Sequence, residues 1–377
     1  MDYGLNEQQE MVKTSARDFL IAECPKSLVR EMAKNDKGYS PELWCKMADV
    51  GWMGLAFPDQ YGGADCSFLE LVVLLDEMGR ACLPGPFFST VVLGGMTILD
   101  MGNENQKQEL LPKIASGDLI VTLALAEPGA RQLTSEIKVK ATAEGSDFVI
   151  SGTKIFVPDA HVADYIICVA RTKETSPAED GVTVFLVDAK SQGLSCTLLK
   201  TLSGDKQCEV NFDNVRVSKD NILGELDHGW PGVERMLQMA AIGKCADMVG
   251  GAQQVLEMSV SYAKERVQFG HPVGSFQAVQ HHCANMITDV DTSRFMTYQV
   301  AWRFSEGLSS AMDISMAKAW VSEACQRVSS LGHQINGGVG VVEDHDMPLY
   351  SSRAKAAWLD FGDASFHREL IAQEMGL

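Results

Sequence analysis

A chain of 377 residues exceeds one ordinary hydrophobic core, so two or three packed units are expected. Hydrophobic residues make up 46% and charged residues 22%, the balance of a globular protein rather than a fibrous or disordered one. The longest apolar runs, Leu71 to Leu75 and Tyr165 to Ala170, are far too short to span a bilayer. A formal charge of −18 disfavours nonspecific binding to nucleic acid or an anionic membrane surface.

The start of the chain, MDYGLNEQQE, has no charged region followed by an apolar one, so no secretory signal is read. Ten cysteines without a CxxC pair point to reduced thiols and a cytoplasmic setting. From Asn6 to about Ser116 the pattern is helical. Phe68 to Arg80 makes a strongly apolar helix, preceded by the turn Phe57 to Gly63 and closed by Leu83-Pro84-Gly85-Pro86.

At Gly117 the period shifts from near 3.6 to 2. Leu119 to Ala126, Asp147 to Ile150, Tyr165 to Arg171, Val182 to Asp188 and Glu209 to Val217 read as strands divided by Gly, Ser, Pro and Asp turns. This block fits a small barrel or sandwich, with Lys173 to Gly181 as an exposed hairpin tip. After Gly224 the helical period returns. Three domains follow: helical over residues 1–117, β over 118–225 and helical over 226–377.

The stretch Arg266 to His281, RVQFGHPVGSFQAVQH, ends one helix and runs through Gly270, Pro272 and Gly274 into a second beginning near Phe276. An Arg there can simply compensate a helix C-terminus, and Gly-x-Pro can simply turn the chain. As a ligand site, the same residues offer a cation, an amide and an aromatic face in Arg266, Gln268 and Phe269, with a further amide in Gln277. Downstream, Gln334 to Gly340 (QINGGVG) holds paired glycines that let backbone approach a ligand.

Together the two stretches resemble the flavin-binding signature of the acyl-CoA dehydrogenase family. The resemblance implies an α+β fold with an N-terminal helical domain, a central β-barrel and a C-terminal four-helix bundle. It also implies FAD as cofactor, an acyl-CoA substrate oxidised to its 2,3-enoyl form, electrons passed to an electron-transfer flavoprotein, and a homo- or hetero-oligomer, usually a tetramer. In that family the FAD adenine and pyrophosphate reach across to a neighbouring subunit. By resemblance, Arg266, Gln268, Phe269, Gln277, Gln334, Gly337 and Gly338 therefore bind FAD across a subunit interface.

Other positions depart from the family pattern. The usual T-E-P-x-A/G-G-S-D run reads Ala126-Glu127-Pro128-Gly129-Ala130-Arg131-Gln132, and the usual W-I-T reads Phe156-Val157-Pro158, where Pro158 has no N–H to offer. The Glu that serves as catalytic base aligns, counted without gaps from Gly338, with Phe361 before Gly362; a second family location falls at Ala240 or Ala241. Phenylalanine cannot take a proton. Asp363 is the nearest candidate base, and the competing reading makes it the N-cap of a last helix over residues 364–373.

Two functions are chiefly weighed, beside another reaction on the same scaffold such as oxidation by oxygen or a non-redox elimination. One is an acyl-CoA dehydrogenase with Asp363 as base. The other is a catalytically degenerate subunit that completes the FAD site of a homologous partner in an α2β2 assembly. No metal site is expected: His281-His282-Cys283 cannot converge from a helix, and Glu343 to Asp346 reads as a solvated loop. His161 and His333 read as structural or surface residues.

Overall fold

The structure is a computed structural model that describes residues 4–129, 136–175, 177–308 and 311–377. The chain divides into two compact units. One comprises Met1–Arg30, Ser67–Leu83 and Ala241–Leu377; the other comprises Glu31–Cys66 and Pro84–Ala240.

The N-terminal third folds into α1 (Glu7–Glu23), α2 (Lys26–Lys34), α3 (Pro41–Asp49), α4 (Phe68–Ala81), a π-helix (Phe88–Gly95) continuing into α5 (Met96–Met101), and α6 (Glu104–Ala115). Three of these helices start with reciprocal capping boxes, Asn6 with Gln9, Ser67 with Glu70 and Asn103 with Gln106, each satisfying otherwise orphaned backbone donors. The C-terminal third contains α7 (Trp230–Glu265), α8 (Gln277–Ser305), α9 (Ala311–Asn336), α10 (Met347–Leu359) and α11 (Ala364–Glu374).

In the first unit, α4 is buried from Phe68 through Gly79, which its near-continuous apolar sequence requires. Its buried acids are each given a partner. Glu70 accepts from Gln9 at 2.9 Å, Glu77 is held by Arg17 at 2.5 and 3.0 Å, and Asp76 accepts from Tyr298 at 2.8 Å and Arg294 at 3.3 Å. Where α4 crosses α7, the backbones nearly touch: a Cβ on Gly250 would lie 1.7 Å from the Asp76 carbonyl oxygen, and one on Gly79 would lie 2.0 Å from that of Asp247. Only glycine permits that approach. Helices α8, α10 and α11 all pack on α9.

In the second unit, the barrel expected from the sequence takes the form of one eight-stranded mixed sheet. Its strands are β1 (Val121–Ala124), β2 (Lys140–Glu144), β3 (Asp147–Pro158), β4 (Tyr165–Arg171), β5 (Val182–Asp188), β6 (Leu194–Leu199), β7 (Gln207–Ser218) and β8 (Ile222–Leu223). The order is β6-β7-β3-β2-β4-β5-β8, with β1 added in parallel to β4. Ile150, Ile166, Phe185, Val187, Val210 and Phe212 fill its core. The hairpin tip between β4 and β5 includes Ser176, which lies outside the described residues. Among the described residues no helix is long and apolar enough to cross a membrane, and no group of three His, Cys, Asp or Glu side chains is placed to hold a metal ion.

Candidate functional site

The Arg266 stretch forms a miniature hairpin that helical periodicity could not disclose. After α7, β9 (Val267–Gln268) pairs with β10 (His271–Pro272), and the Val273 N–H donates to the Arg266 carbonyl at 2.7 Å. The two loop residues, Phe269 and Gly270, have φ of +54° and +82°, as a two-residue loop of type I′ requires. A phenylalanine in the left-handed region is strained, and this one is also 91% exposed, its ring edge-on to Phe276 at 6.2 Å.

Arg266 and Gln277 are exposed, and among the described residues neither side chain has a hydrogen-bond or ion-pair partner. The Gln268 amide reaches only the carbonyl of Val267, at 2.8 Å. The corner thus presents a cation and an amide, Arg266 and Gln277, without side-chain partners among the described residues, beside an exposed aromatic ring.

Gln334, Gly337 and Gly338 lie at the C-terminal end of α9. Buried Asn336 donates to the Gly332 carbonyl at 2.9 Å and to Ser259 of α7 at 3.4 Å, which sets this end of α9 beside the last turns of the helix that leads to Arg266. Gln334 is exposed without a side-chain partner. A Cβ added at Gly338 would meet nothing within 4 Å, so packing inside the chain does not demand glycine there. Val339, Val341 and Val342 beside it are exposed. These groups fit a phosphate-bearing dinucleotide: a free guanidinium, free amides, an unoccupied approach to backbone and an exposed ring.

The turn at Phe361, where the sequence resemblance would put a catalytic Glu, is equally well defined. Helix α10 ends at Leu359, and Phe361 and Gly362 turn the chain with φ of +57° and +97°. Asp363 then caps α11, its Oδ1 accepting from the Phe366 N–H at 2.8 Å. Asp360 faces the Lys244 ammonium at 3.5 Å.

Two buried side chains that sequence reasoning missed hold this turn. Lys318 on α9 is 0% exposed, and its Nζ donates to the carbonyls of Gly362 at 3.0 Å and of Ala357 and Trp358 at 3.3 Å, and to Ser322 at 3.1 Å. Its cation thereby meets the carbonyl end of α10, while burial pushes its pKa down. His367 lies between the Phe361 carbonyl, 3.0 Å from Nε2, and the Ser315 hydroxyl, 3.1 Å from Nδ1. A carbonyl only accepts, so Nε2 carries the proton and Nδ1 accepts from Ser315. Burial, reinforced by Lys318, pushes the imidazole down to about 4. Ala240 and Ala241, the other location the resemblance implies, are both buried alanines and offer no carboxylate.

In the second unit the segments read as flavin-facing strands are stitched together by another buried ion pair. Lys154 and Glu127 meet at 2.7 Å; Glu127 also accepts from the N–H groups of Lys138 and Val139, and Lys154 donates to the Leu125 carbonyl at 3.0 Å. All these groups are satisfied, as burial requires. The β3–β7 register shifts between Lys154 and Val157, and within that irregularity Phe156 takes φ +53° and is 58% exposed. The Pro158 carbonyl accepts from the Thr122 hydroxyl. Ala130, Arg131 and Gln132 lie outside the described residues.

Comparison with known proteins places these features in context. Sequence models match over nearly the whole chain: acyl-CoA dehydrogenase, N-terminal domain, at residues 6–118; middle domain at 122–215; C-terminal domain at 227–376. The chain is 32% identical to the 3-(aryl)acrylate reductase of Clostridium sporogenes, over 98% of each protein. It is 29% identical to the caffeyl-CoA reductase-Etf complex subunit CarC of Acetobacterium woodii, over 90% of each. Among solved structures, a chain of the ChsE4-ChsE5 complex from Mycobacterium tuberculosis superposes with a TM-score of 0.91 at 29% identity, covering 100% of this chain and 99% of that one.

Proposed function

Because this chain belongs to the acyl-CoA dehydrogenase family of FAD-dependent oxidoreductases, we propose that it acts in forming a 2,3 double bond in an acyl-CoA thioester, as the subunit that completes a homologous partner's FAD site. The carrying observation is the contrast between its two groups of site residues. Arg266, Gln277 and Gln334 are displayed with no side-chain partner among the described residues and Phe269 is 91% exposed, whereas the base slot holds Phe361 and the flanking acids are engaged, Asp360 with Lys244 and Asp363 as a helix cap.

Bound FAD supplies the hydride acceptor. In this reading Arg266 would neutralise the pyrophosphate, Phe269 and Gln277 would help to hold the dinucleotide, and Gln334 with Gly337 and Gly338 would let backbone approach it. Proton abstraction alpha to the thioester belongs to the partner's carboxylate.

The first unit also has a face suited to a neighbouring chain. Phe276, Ile287, Phe295 and Trp302 of α8 and its start are exposed, and an open groove of about 540 Å³ between α7 and α8 is lined by Leu256, Val260, Ala284 and Ile287. An α2β2 tetramer agrees with the heteromeric name of the ChsE4-ChsE5 relative, and an electron-transfer flavoprotein as acceptor agrees with the name of the CarC relative. The ten free thiols suit the reducing cytoplasm.

A second reading retains the chain as its own dehydrogenase, with Asp363, the partly buried acid directly after Gly362, as base. Co-expression with genomic neighbours separates the two. Purified alone, the chain is expected colourless; co-expressed with a homologue bearing the Glu, it gives flavin and acyl-CoA-driven bleaching. A yellow homo-oligomer bleached by acyl-CoA overturns the subunit reading.

Asp363→Ala sharpens the choice. As a cap alone, Asp363 contributes about 1 kcal/mol, so the variant should melt a few degrees lower with turnover of the assembly within about twofold. Abolished turnover in a folded variant would make it the base.

A further inference from the structure

Strands β6 and β7 bring two cysteines and a histidine together outside every site described above. Cys196 pairs in register with Val210 and Leu198 with Cys208, so Cys196 and Cys208 are diagonal neighbours on the core-facing side. Cys208 is fully buried, whereas Cys196 is half-buried on β6, the strand at one end of the sheet. The Cys208 sulfur lies 3.8 Å from Nδ1 of His161, and Nε2 of His161 is 3.1 Å from the Lys37 carbonyl. Since that carbonyl only accepts, Nε2 carries the proton and Nδ1 is left as an acceptor for the Cys208 thiol.

We propose that Cys196 is a site oxidised by hydrogen peroxide, resolved to a disulfide by Cys208 with His161 receiving the Cys208 proton. The first step forms an S–O bond on Cys196 as the peroxide O–O bond breaks and water leaves, oxidising the sulfur to sulfenic acid. In the second, the Cys208 sulfur attacks Cys196, the S–S bond forms, the S–O bond breaks and a second water leaves. One peroxide is reduced to two waters as two thiols become one disulfide.

The arrangement divides the labour in the way a redox-sensing pair needs. When the single Cys208 S–H turns from His161 to Cys196 it holds the Cys196 thiol below its usual pKa, so Cys196 is the accessible nucleophile. The same contact and burial push Cys208 up, keeping it protonated until a sulfenic acid stands beside it. Cys168, Cys245 and Cys325 are fully buried and pushed up by burial, which keeps them inert. Diagonal Cα atoms in a ladder lie about 7–8 Å apart, and a disulfide needs them within about 7 Å. The end strand β6 has to shift by only about an ångström, and its outer side is unpaired in the sheet.

Full-length protein titrated with hydrogen peroxide tests this by mass spectrometry without reduction. Trypsin separates the two cysteines into the peptides Ser191 to Lys200 and Gln207 to Arg216, so the link is read directly as a joined pair lacking two hydrogens. The expected result is that this pair is the first oxidation product. Cys196→Ser should abolish it, and Cys208→Ser should leave a dimedone-reactive sulfenic acid at Cys196. His161→Phe should slow closure by an order of magnitude or more. Oxidation confined to Cys45, Cys66 or Cys283, or of Cys196 to sulfinic acid without the link in wild-type protein, overturns the proposal; wild-type closing rates in His161→Phe remove the histidine from it.

Discussion

Arg266→Ala empties FAD from the assembled protein while leaving this chain folded. The side chain is exposed and unpaired, so its loss should change stability by no more than about 0.5 kcal/mol. A charge-assisted contact to a pyrophosphate contributes about 1.5–3 kcal/mol, so the flavin dissociation constant should rise roughly 10- to 100-fold. Flavin absorbance per protomer after gel filtration measures this, with a melting curve as the folding control. Arg266→Lys should recover only part of the loss, because an ammonium cannot reproduce the planar two-point contact of guanidinium. Full retention of flavin in a folded Arg266→Ala assembly would refute the assignment of this corner.

Lys318→Met is the most destabilising single change expected in the first unit, at about 3 kcal/mol or more. Methionine fills the volume but leaves the carbonyls of Ala357, Trp358 and Gly362 and the Ser322 hydroxyl without their common donor, each in a place that water reaches poorly. Urea unfolding measures it.

The neighbouring His367 gives the same turn a pH dependence. Its folded pKa of about 4 lies below the ordinary 6.5, so the unfolded chain takes up the proton first. The stabilisation is complete above about pH 6.5 and is lost as pH falls toward 4, a difference of about 3 kcal/mol. His367→Gln, which can still donate to the Phe361 carbonyl, should flatten stability across that window; an unchanged slope would show that the imidazole does not titrate there.

The sequence disclosed those elements whose side chains repeat with a clear period. Phe68 to Arg80 matches α4 within a residue, and Tyr165 to Arg171 and Val182 to Asp188 match β4 and β5 end to end. Strand β2, with only Ala141 buried, and strand β6, whose faces are mixed, carry too weak an alternation to be seen. Strand β3 runs on from Ile150 to Pro158 because register shifts break its alternation partway.

The Arg266 corner is legible as a string but not as a hairpin, since two-residue strands have no period. Lys318 and His367 were invisible for a different reason. A lysine or histidine on a helix ordinarily faces water, and only the packing of α10 and α11 on α9 puts carbonyls over them. Asp363 was read both ways, and the side-chain geometry displays the cap.

The first unit is stitched from segments far apart along the chain, and synthesis must respect that. When α4 leaves the ribosome, Arg17 can already meet Glu77, but Asp76 must await Arg294 and Tyr298, and Phe68 must await the ring of Phe304. At roughly 5–20 residues per second, that delay lasts on the order of ten seconds or more. Until then a helix buried from Phe68 through Gly79 lacks its cover, so nascent chains stalled before α8 should be prime clients for chaperones and the first to aggregate without them.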